Sequence, residues 1–309
     1  MLVVGIGIFD FYKKLDTPTS YSATIIITPG MSISEIAQKL YQEKIIPSVF
    51  LFPFMVHVVA QQKPLKAGEY FFEQSITPRL AIDMMARGQV VVRKLTVPEG
   101  LTIREIIDLV NKAEGLKGDI LQPLPKEGDL LPETYFYSWG DQKQDLIKRM
   151  SQAMKNFLTE VWPRRNVNSF ITTPYEAIIL ASIVEKETGL PNERPRVASV
   201  FLNRLKIKMR LQSDPTVIYA LTDGQEELNR SLVHNDLQID NPYNTYMYEG
   251  LPPGPIANPG KASIEAVLKP ENTDELYFVA DGKGGHVFAK TLTEHNRNVT
   301  EWRKIQSKN

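Results

Sequence analysis

The chain has 309 residues, its 36 Lys and Arg residues balance 36 Asp and Glu residues, and it has no cysteine. This length predicts about two domains, and a hydrophobic content of 42% is enough to build cores, which excludes disorder as the main state. The zero net charge argues against a nucleic-acid binder, whose affinity rests on a basic surface. The lack of cysteine excludes disulfides, thiolate nucleophiles and cysteine-ligated metals.

The N-terminus is an apolar run, LVVGIGIF, from Leu2 to Phe9. A membrane-spanning helix needs about 20 apolar residues, and this run has fewer than half of them. Two interpretations stay open: an apolar tail or buried strand, or the outer end of a membrane anchor that is largely missing from this chain. A linker is expected at 16–20, with folded sequence from near Ser22.

A strand–turn–helix pattern occurs twice in the first third of the chain. The β-branched run 23–28 is followed by Ser32 and Glu35, which form a capping box at the start of a helix. A short strand at 95–97 is followed by Thr102 and Glu105 in the same arrangement. Between them, the patterns predict helices near 50–59 and 78–87 and strands at 65–72 and 90–92. Short elements of both kinds predict an α+β fold.

The most informative segment is a helix that starts after Thr173. Thr173 and Glu176 form a capping box, and Pro174 suits the first helical position. Residues 177–184 are apolar on nearly every side, which predicts a buried helix. Gly189 is expected to end it in a left-handed conformation.

Two carboxylates, Glu185 and Glu187, fall in the last turn of this helix. The negative end of a helix and apolar neighbours both raise a carboxyl pKa, as a general acid requires. At about 100° per residue the two side chains lie about 160° apart, so they cannot both serve one substrate closely. Glu187 shares the face of the apolar residues Leu180, Ile183 and Val184, which favours it. The alternative is that both are solvated charges at a helix end.

Long loops at 241–246 and 250–260 are rich in Pro, Gly, Asn and Tyr. Loops of this length in a compact domain are usually functional, and Tyr and Asn suit sugar faces and hydroxyls. The glycine-rich stretch 281–286 lacks the P-loop pattern and is expected to be a turn between strands at 276–279 and 286–289. The four histidines show no metal-ligand spacing, so we expect no metal site.

Several blocks in the same order resemble the YceG-like family of endolytic murein transglycosylases. The blocks are Ala181–Thr188, Val197–Arg204, Arg210–Tyr219, Asn241–Tyr246, Gly250–Gly254 and Tyr277–His286. The likeness runs from about Ala23 to near the C-terminus. It implies a remnant of a membrane anchor and linker at 1–22, a small LysM-like βα module at 23–95, and a larger mixed α/β catalytic domain at 96–309.

The resemblance also implies an activity and a location. It implies cleavage of the bond between MurNAc and GlcNAc in nascent peptidoglycan strands, with formation of 1,6-anhydro-MurNAc, which terminates strand elongation. The implied location is the cytoplasmic (inner) membrane, with the catalytic domain on its periplasmic, outer face. The implied partners are peptidoglycan glycan strands and peptidoglycan synthases, and no cofactor is implied.

The implied mechanism needs one acid/base, because the sugar's own 6-hydroxyl takes the place of water. Related enzymes place that Glu before a hydroxyl residue, which fits Glu187 with Thr188, and Glu185 is the fallback. Motif matching adds four residues for positioning sugars or orienting the acid, namely Gln212, Ser213, Asn244 and Tyr246.

Two rival functions remain open at this point. The first is a non-catalytic peptidoglycan-binding or scaffold protein in which the two Glu residues are structural. The second is a glycoside hydrolase that pairs Glu187 with a second carboxylate such as Asp214. The hydrolase would produce reducing ends instead of anhydro ends.

Overall fold

The computed structural model describes residues 2–166, 170–226 and 228–306. Residues 1, 167–169, 227 and 307–309, which belong to the domains predicted from the sequence, lie outside the described residues. The helices are α1 (Leu2–Asp16), α2 (Ile33–Gln42), α3 (Phe52–Ala60), α4 (Pro78–Arg87), α5 (Ile103–Lys112), α6 (Lys143–Val161), α7 (Pro174–Glu187), α8 (Arg194–Lys206), α9 (Asp214–Thr222), α10 (Lys261–Leu268) and α11 (Leu292–Gln306). The strands are β1 (Ala23–Ile27), β2 (Gly68–Phe72), β3 (Val92–Thr96), β4 (Thr134–Ser138), β5 (Tyr277–Ala280) and β6 (His286–Ala289).

The strands form small sheets of two, in which β1 pairs with β2, β3 with β4, and β5 with β6. The β1–β2 and β5–β6 pairs are antiparallel. This architecture confirms the predicted mixture of helices and strands. None of the described helices, α1 included, has both the length and the apolar character that crossing a bilayer requires.

The chain divides into two compact units. Unit 1 contains the described residues up to Leu95, with Ala113–Gly118 and Phe136–Lys143. Unit 2 contains Thr96–Lys112, Asp119–Tyr135 and the described residues from Gln144 onward.

Unit 1 has its core around the antiparallel pair β1–β2, in which Ala23 lies opposite Phe72 and Ile27 opposite Gly68. β1 alternates buried and outward residues, so Ile25 joins Phe72 in the core, as the period of a strand requires. Helices α2 and α3 follow β1 in the chain and pack on each other. The predicted capping box of α2 is present, since Ser32 and Glu35 bond each other's backbone amides.

Two expectations about unit 1 were wrong. The fold includes the chain before Ser22, because Leu15 is fully buried in the core and the Thr19 amide donates to Ile76 O at 2.8 Å. The strand expected at 90–92 and the one expected at 95–97 are instead a single strand, β3. Val91 lies before it and donates its amide to Glu69 O at 2.7 Å.

Unit 2 has α7 at its centre, packed against α8, α9 and α10. All side chains from Ala177 to Val184 are buried, as the apolar sequence predicts, and the capping box of Thr173 and Glu176 is present. The expected left-handed end at Gly189 is wrong. Thr188 ends the helix in an extended conformation, and its buried hydroxyl accepts from the Leu190 amide at 3.1 Å, so the chain leaves the helix without a left-handed glycine.

Candidate active site

Glu187 is the last residue of α7, and its carboxylate meets the start of α9. The Ser213 hydroxyl donates a hydrogen bond to Oε1 of Glu187. Ser213 is almost fully buried, and its amide donates to the Thr245 hydroxyl at 3.0 Å. Ser213 directly precedes α9, and Asp214 is its first helical residue. The loop that carries Thr245 therefore fixes the serine that holds Glu187.

Burial raises the pKa of Glu187, and the nearby Asp214 carboxylate raises it further. The hydrogen bond from Ser213 and the positive charges of His286 and Arg204 act in the opposite direction without cancelling the effect of burial. Glu187 is nevertheless only half-buried. It is therefore a carboxyl group that keeps its proton to higher pH than usual and that still reaches solvent.

The side chains of Arg204 and His286 lie near this carboxyl group. Arg204 of α8 is buried and donates from Nε to Leu276 O at 2.7 Å and from Nη1 to Leu211 O. His286, at the start of β6, has its Nδ1 at 2.7 Å from Oε2 of Glu193, and its amide donates to Oε1 of Glu193 at 2.9 Å. Both side chains are thus fixed by bonds to groups other than Glu187.

Asp214 and Tyr246 form a second pair beside Glu187. The Tyr246 hydroxyl donates to Oδ1 of Asp214 at 2.6 Å, and Arg210 Nη1 donates to Tyr246 O at 3.0 Å. Burial raises the pKa of Tyr246, and the Asp214 carboxylate adds to this shift. Tyr246 therefore stays protonated and orients Asp214.

The remaining two predicted residues differ in exposure. Gln212 has a left-handed backbone (φ 48°), its amide donates to Thr245 O at 3.1 Å, and its side chain is exposed. Asn244 is fully buried, its Nδ2 donates to the carbonyls of Leu237 and Ile239, and its Oδ1 accepts from the Tyr246 amide at 3.0 Å. Asn244 holds the loop in place and does not present its amide to solvent.

Glu185 lies on the other side of α7 in a different environment. Its Oε1 accepts from Arg194 Nη2 at 2.9 Å, and its Oε2 accepts from the Gly260 amide at 2.8 Å. The Glu185 side chain is 5% exposed, and Arg194 also contacts Glu99 at 3.2 Å. A side chain at Gly260 would collide with the Glu99 carboxylate, whose Oε1 lies 1.8 Å from an ideal Cβ there. Glu185 is therefore fixed inside a closed ion-pair cluster.

Sequence reasoning named Glu187, Ser213 and Tyr246, and the structure brings these three together with Asp214. The sequence patterns did not reveal the roles of Arg204, Glu193 and His286. Arg204 and His286 both lie in blocks that resemble the family, and this position is the signal that points to them. The spacing of His286 bears only on metal binding. Across the described ranges, His, Asp and Glu side chains do not gather in any group of three that could hold a metal ion.

Comparison with known proteins connects this site to a family. The model of the YceG-like family matches residues 25–301. The endolytic murein transglycosylase of Bacillus subtilis (strain 168) is 32% identical over 343 residues, covering all of this chain and 92% of that protein. The endolytic murein transglycosylase of Streptococcus pneumoniae serotype 2 (strain D39) is 29% identical, and the match covers 95% of this chain but only 61% of the longer pneumococcal protein.

A solved structure agrees with these sequence matches. The 2.6 Å crystal structure of a YceG-like protein from Listeria monocytogenes is 33% identical and superposes with a TM-score of 0.55. That match covers 90% of this chain and 99% of the Listeria chain. With a family match over most of its length and relatives of this similarity, the chain belongs to the YceG-like family.

Proposed function

We propose that this protein is an endolytic murein transglycosylase that cuts the MurNAc–GlcNAc bond inside peptidoglycan strands. Family membership and the activity named for the Bacillus and pneumococcal relatives support the reaction. The observation that carries the mechanism is the environment of Glu187, a half-buried carboxyl group with a raised pKa that a serine hydroxyl holds in one orientation.

In the proposed step, protonated Glu187 gives its proton to the glycosidic oxygen as the bond from that oxygen to C1 of MurNAc breaks. The 6-hydroxyl of the same MurNAc then closes on C1, and its proton passes to the Glu187 carboxylate. The products are a strand ending in 1,6-anhydro-MurNAc and a strand with a free GlcNAc hydroxyl. No water is consumed, and the acid is regenerated in its protonated form.

The surrounding residues support this assignment in different ways. Ser213 orients the carboxyl group, and the fixed cation Arg204 balances the negative charge that Glu187 carries after proton transfer. Gln212 offers an exposed amide to sugar hydroxyls, whereas Asn244 acts by holding the loop of Tyr246. Glu185 is assigned to the fold, because its ion pair with Arg194 occupies it.

A second candidate function comes from Asp214. Its carboxylate is close enough to Glu187 to raise the pKa of that group, and two carboxylates flanking a bond are the usual arrangement of a glycoside hydrolase. Asp214 is, however, bonded to the Tyr246 hydroxyl, which suits a fixed charge better than a nucleophile or base. The two reactions give chemically different products.

Further parts of the proposal concern the rest of the chain. We assign 23–95 to a LysM-like module for glycan binding, which its β1–α2–α3–β2 order and separate core support. We place the protein at the inner membrane with its catalytic domain, 96–309, on the periplasmic face and the apolar stretch within 1–22 as part of an anchor. Peptidoglycan synthases are the proposed protein partners.

Product analysis by mass spectrometry tests the proposed reaction. Purified glycan strands are incubated with the full chain, and the new ends are identified by mass. Fragments lighter by one water than hydrolysis products are expected. Ordinary reducing ends would select the hydrolase that uses Asp214, and intact strands that remain bound to the protein would select a non-catalytic binding protein.

A further inference from the structure

A separate cavity of about 540 Å³ opens in unit 2 away from Glu187. Its walls come from the start of α5, the start of α7, the end of α9 and the loops around residues 125 and 254. Tyr175 lines this cavity and stands on the same helix as Glu187, 12 residues before it. At 1.5 Å per residue, the two positions are roughly 18 Å apart along α7. The cavity is therefore too far away to take part in the chemical step.

Three tyrosines, Tyr175, Tyr219 and Tyr243, give the cavity its chemical character. The rings of Tyr219 and Tyr243 lie 4.8 Å apart at 48°. The hydroxyls of Tyr175 and Tyr243 converge above Gly254, where an added Cβ would lie 3.1 and 2.8 Å from them. Glycine at position 254 thus allows the two hydroxyls to approach the backbone more closely than a side chain would permit.

Glu127 adds a carboxyl group to the cavity wall. It accepts from the Ile103 amide at 3.0 Å and from Asn258 Nδ2 at 3.1 Å, which fixes its position. Burial raises the pKa of Glu127 to about 7. Asp108 and Asp223 also line the space, with Arg104 and Lys126 as the cations. This mixture of charges does not favour an anionic ligand.

A second cavity of about 440 Å³ lies beside this space. It shares Tyr219 and Gln225 with the tyrosine cavity. At its other end it is lined by Lys186 and Pro215, the chain neighbours of Glu187 and Asp214. The two cavities therefore share part of one wall.

We propose that the tyrosine cavity is a remote saccharide subsite that holds a sugar of the same glycan strand several units from the cleaved bond. Tyrosine offers a ring for the C–H face of a pyranose and a hydroxyl that both donates and accepts, which matches the alternating groups of a sugar. Binding energy from a non-reacting part of a polymer holds the strand in register. This inference rests on the proposed function, because it takes the strand as the substrate.

The test measures binding and turnover separately. In the full chain carrying Glu187→Gln, which cannot cleave, the affinity for long glycan strands is compared with and without Tyr175→Phe plus Tyr243→Phe. We expect the double change to weaken binding about 25-fold, about fivefold for each lost hydrogen bond. Tyr12→Phe, at an exposed position of α1 and outside the proposed glycan-binding segments, is the matched control and should bind like its parent.

Gly254→Ala provides a second variant, because its methyl group would lie 2.8 Å from the Tyr243 hydroxyl and would force that hydroxyl out of its present position. In a protein that keeps Glu187, the double tyrosine change and Gly254→Ala should each raise KM for long strands. The same variants should leave kcat on a tetrasaccharide unchanged, since that fragment is too short to reach the cavity. Thermal unfolding confirms that each variant folds. Unchanged affinity and KM in folded variants would overturn the subsite.

The outcomes separate this inference from the proposed function. Cleavage that depends on Glu187, together with tyrosine variants that bind long strands like their parent, would overturn the subsite alone. Tyrosine-dependent strand binding by a protein that cleaves nothing would overturn the proposed reaction and support the cavity as a saccharide site.

Discussion

Glu185 and Glu187 stand two residues apart at one helix end and have opposite surroundings. Glu185 faces a closed cluster in which Arg194 and the Gly260 amide occupy both of its oxygens. Glu187 is held by a neutral hydroxyl, with its nearest charges fixed by other partners. At 100° per residue, the two side chains point to sides of α7 about 160° apart. One carboxylate therefore stabilises the fold, and the other is available for the reaction.

The difference shows what makes a buried carboxyl group useful as an acid. An ion pair favours the charged form, whereas burial against a neutral donor allows the neutral form to persist. The identity of the hydrogen-bond partner distinguishes Glu185 from Glu187.

Replacing Glu185 is the change with the largest expected effect on stability. Glu185→Gln leaves the buried Arg194 with only Glu99, and we expect the free energy of unfolding to fall by about 3 kcal/mol. Urea unfolding measures this loss. Glu133→Gln removes an exposed carboxylate paired with Lys261 and should cost under about 1 kcal/mol. Equal losses in the two variants would contradict the closed cluster.

Glu127 extends the comparison to a third buried carboxyl group. Its pKa of about 7 in the fold exceeds its usual 4.5, so its contribution is present at low pH and is lost as pH rises from about 4.5 to 7. The difference in pKa corresponds to about 3 kcal/mol. Stability measured against pH should therefore fall less steeply in Glu127→Gln than in the wild type. Parallel curves for the two proteins would show that Glu127 titrates normally.

The charges around Glu187 should move its pKa in opposite directions. As a general acid Glu187 works protonated, so activity falls as pH rises through its raised pKa. Asp214→Asn removes a negative charge and should shift this fall to lower pH, by at most about one unit. His286→Gln removes a positive charge and should shift it to higher pH. The pH profile of kcat/KM measures both shifts, and shifts of the same sign would contradict the arrangement.

The smallest expected effect comes from the hydroxyl that holds Glu187. Ser213→Ala removes one hydrogen bond, worth about 1 kcal/mol, so turnover should fall about fivefold. Because Ser213 makes no side-chain capping bond to α9, the thermal unfolding temperature should barely change. A large loss of stability with normal turnover would assign Ser213 to the fold instead of to the acid.

Local features of the sequence predicted much of the fold. The capping boxes at Ser32 and Thr173 set the starts of α2 and α7, because both bonds of a capping box join residues three apart. The end of α7 was wrong at Gly189, since the conformation there depends on the burial of Thr188. The single strand β3 was divided in two because short apolar runs carry little information about length.

The site was predictable only in part, for a related reason. Helical periodicity places Glu187 on an apolar face, but its partner Ser213 is 26 residues away in the chain. Glu193 and His286 are 93 residues apart, and no local pattern joins them. The family resemblance supplied Ser213 and Tyr246. The different environments of Glu185 and Glu187 depend on Arg194 and Gly260, which only the folded chain brings next to Glu185.

The most direct test of the central claim compares the products formed by Glu187→Gln and Glu185→Gln under conditions where both variants are folded. Glycan strands are digested with each variant and with the wild type, and anhydro ends are counted by mass spectrometry. We expect the wild type and Glu185→Gln to form them and Glu187→Gln to lose at least about a hundredfold in rate. Anhydro ends formed by Glu187→Gln but absent with folded Glu185→Gln would contradict the account and make Glu185 the acid.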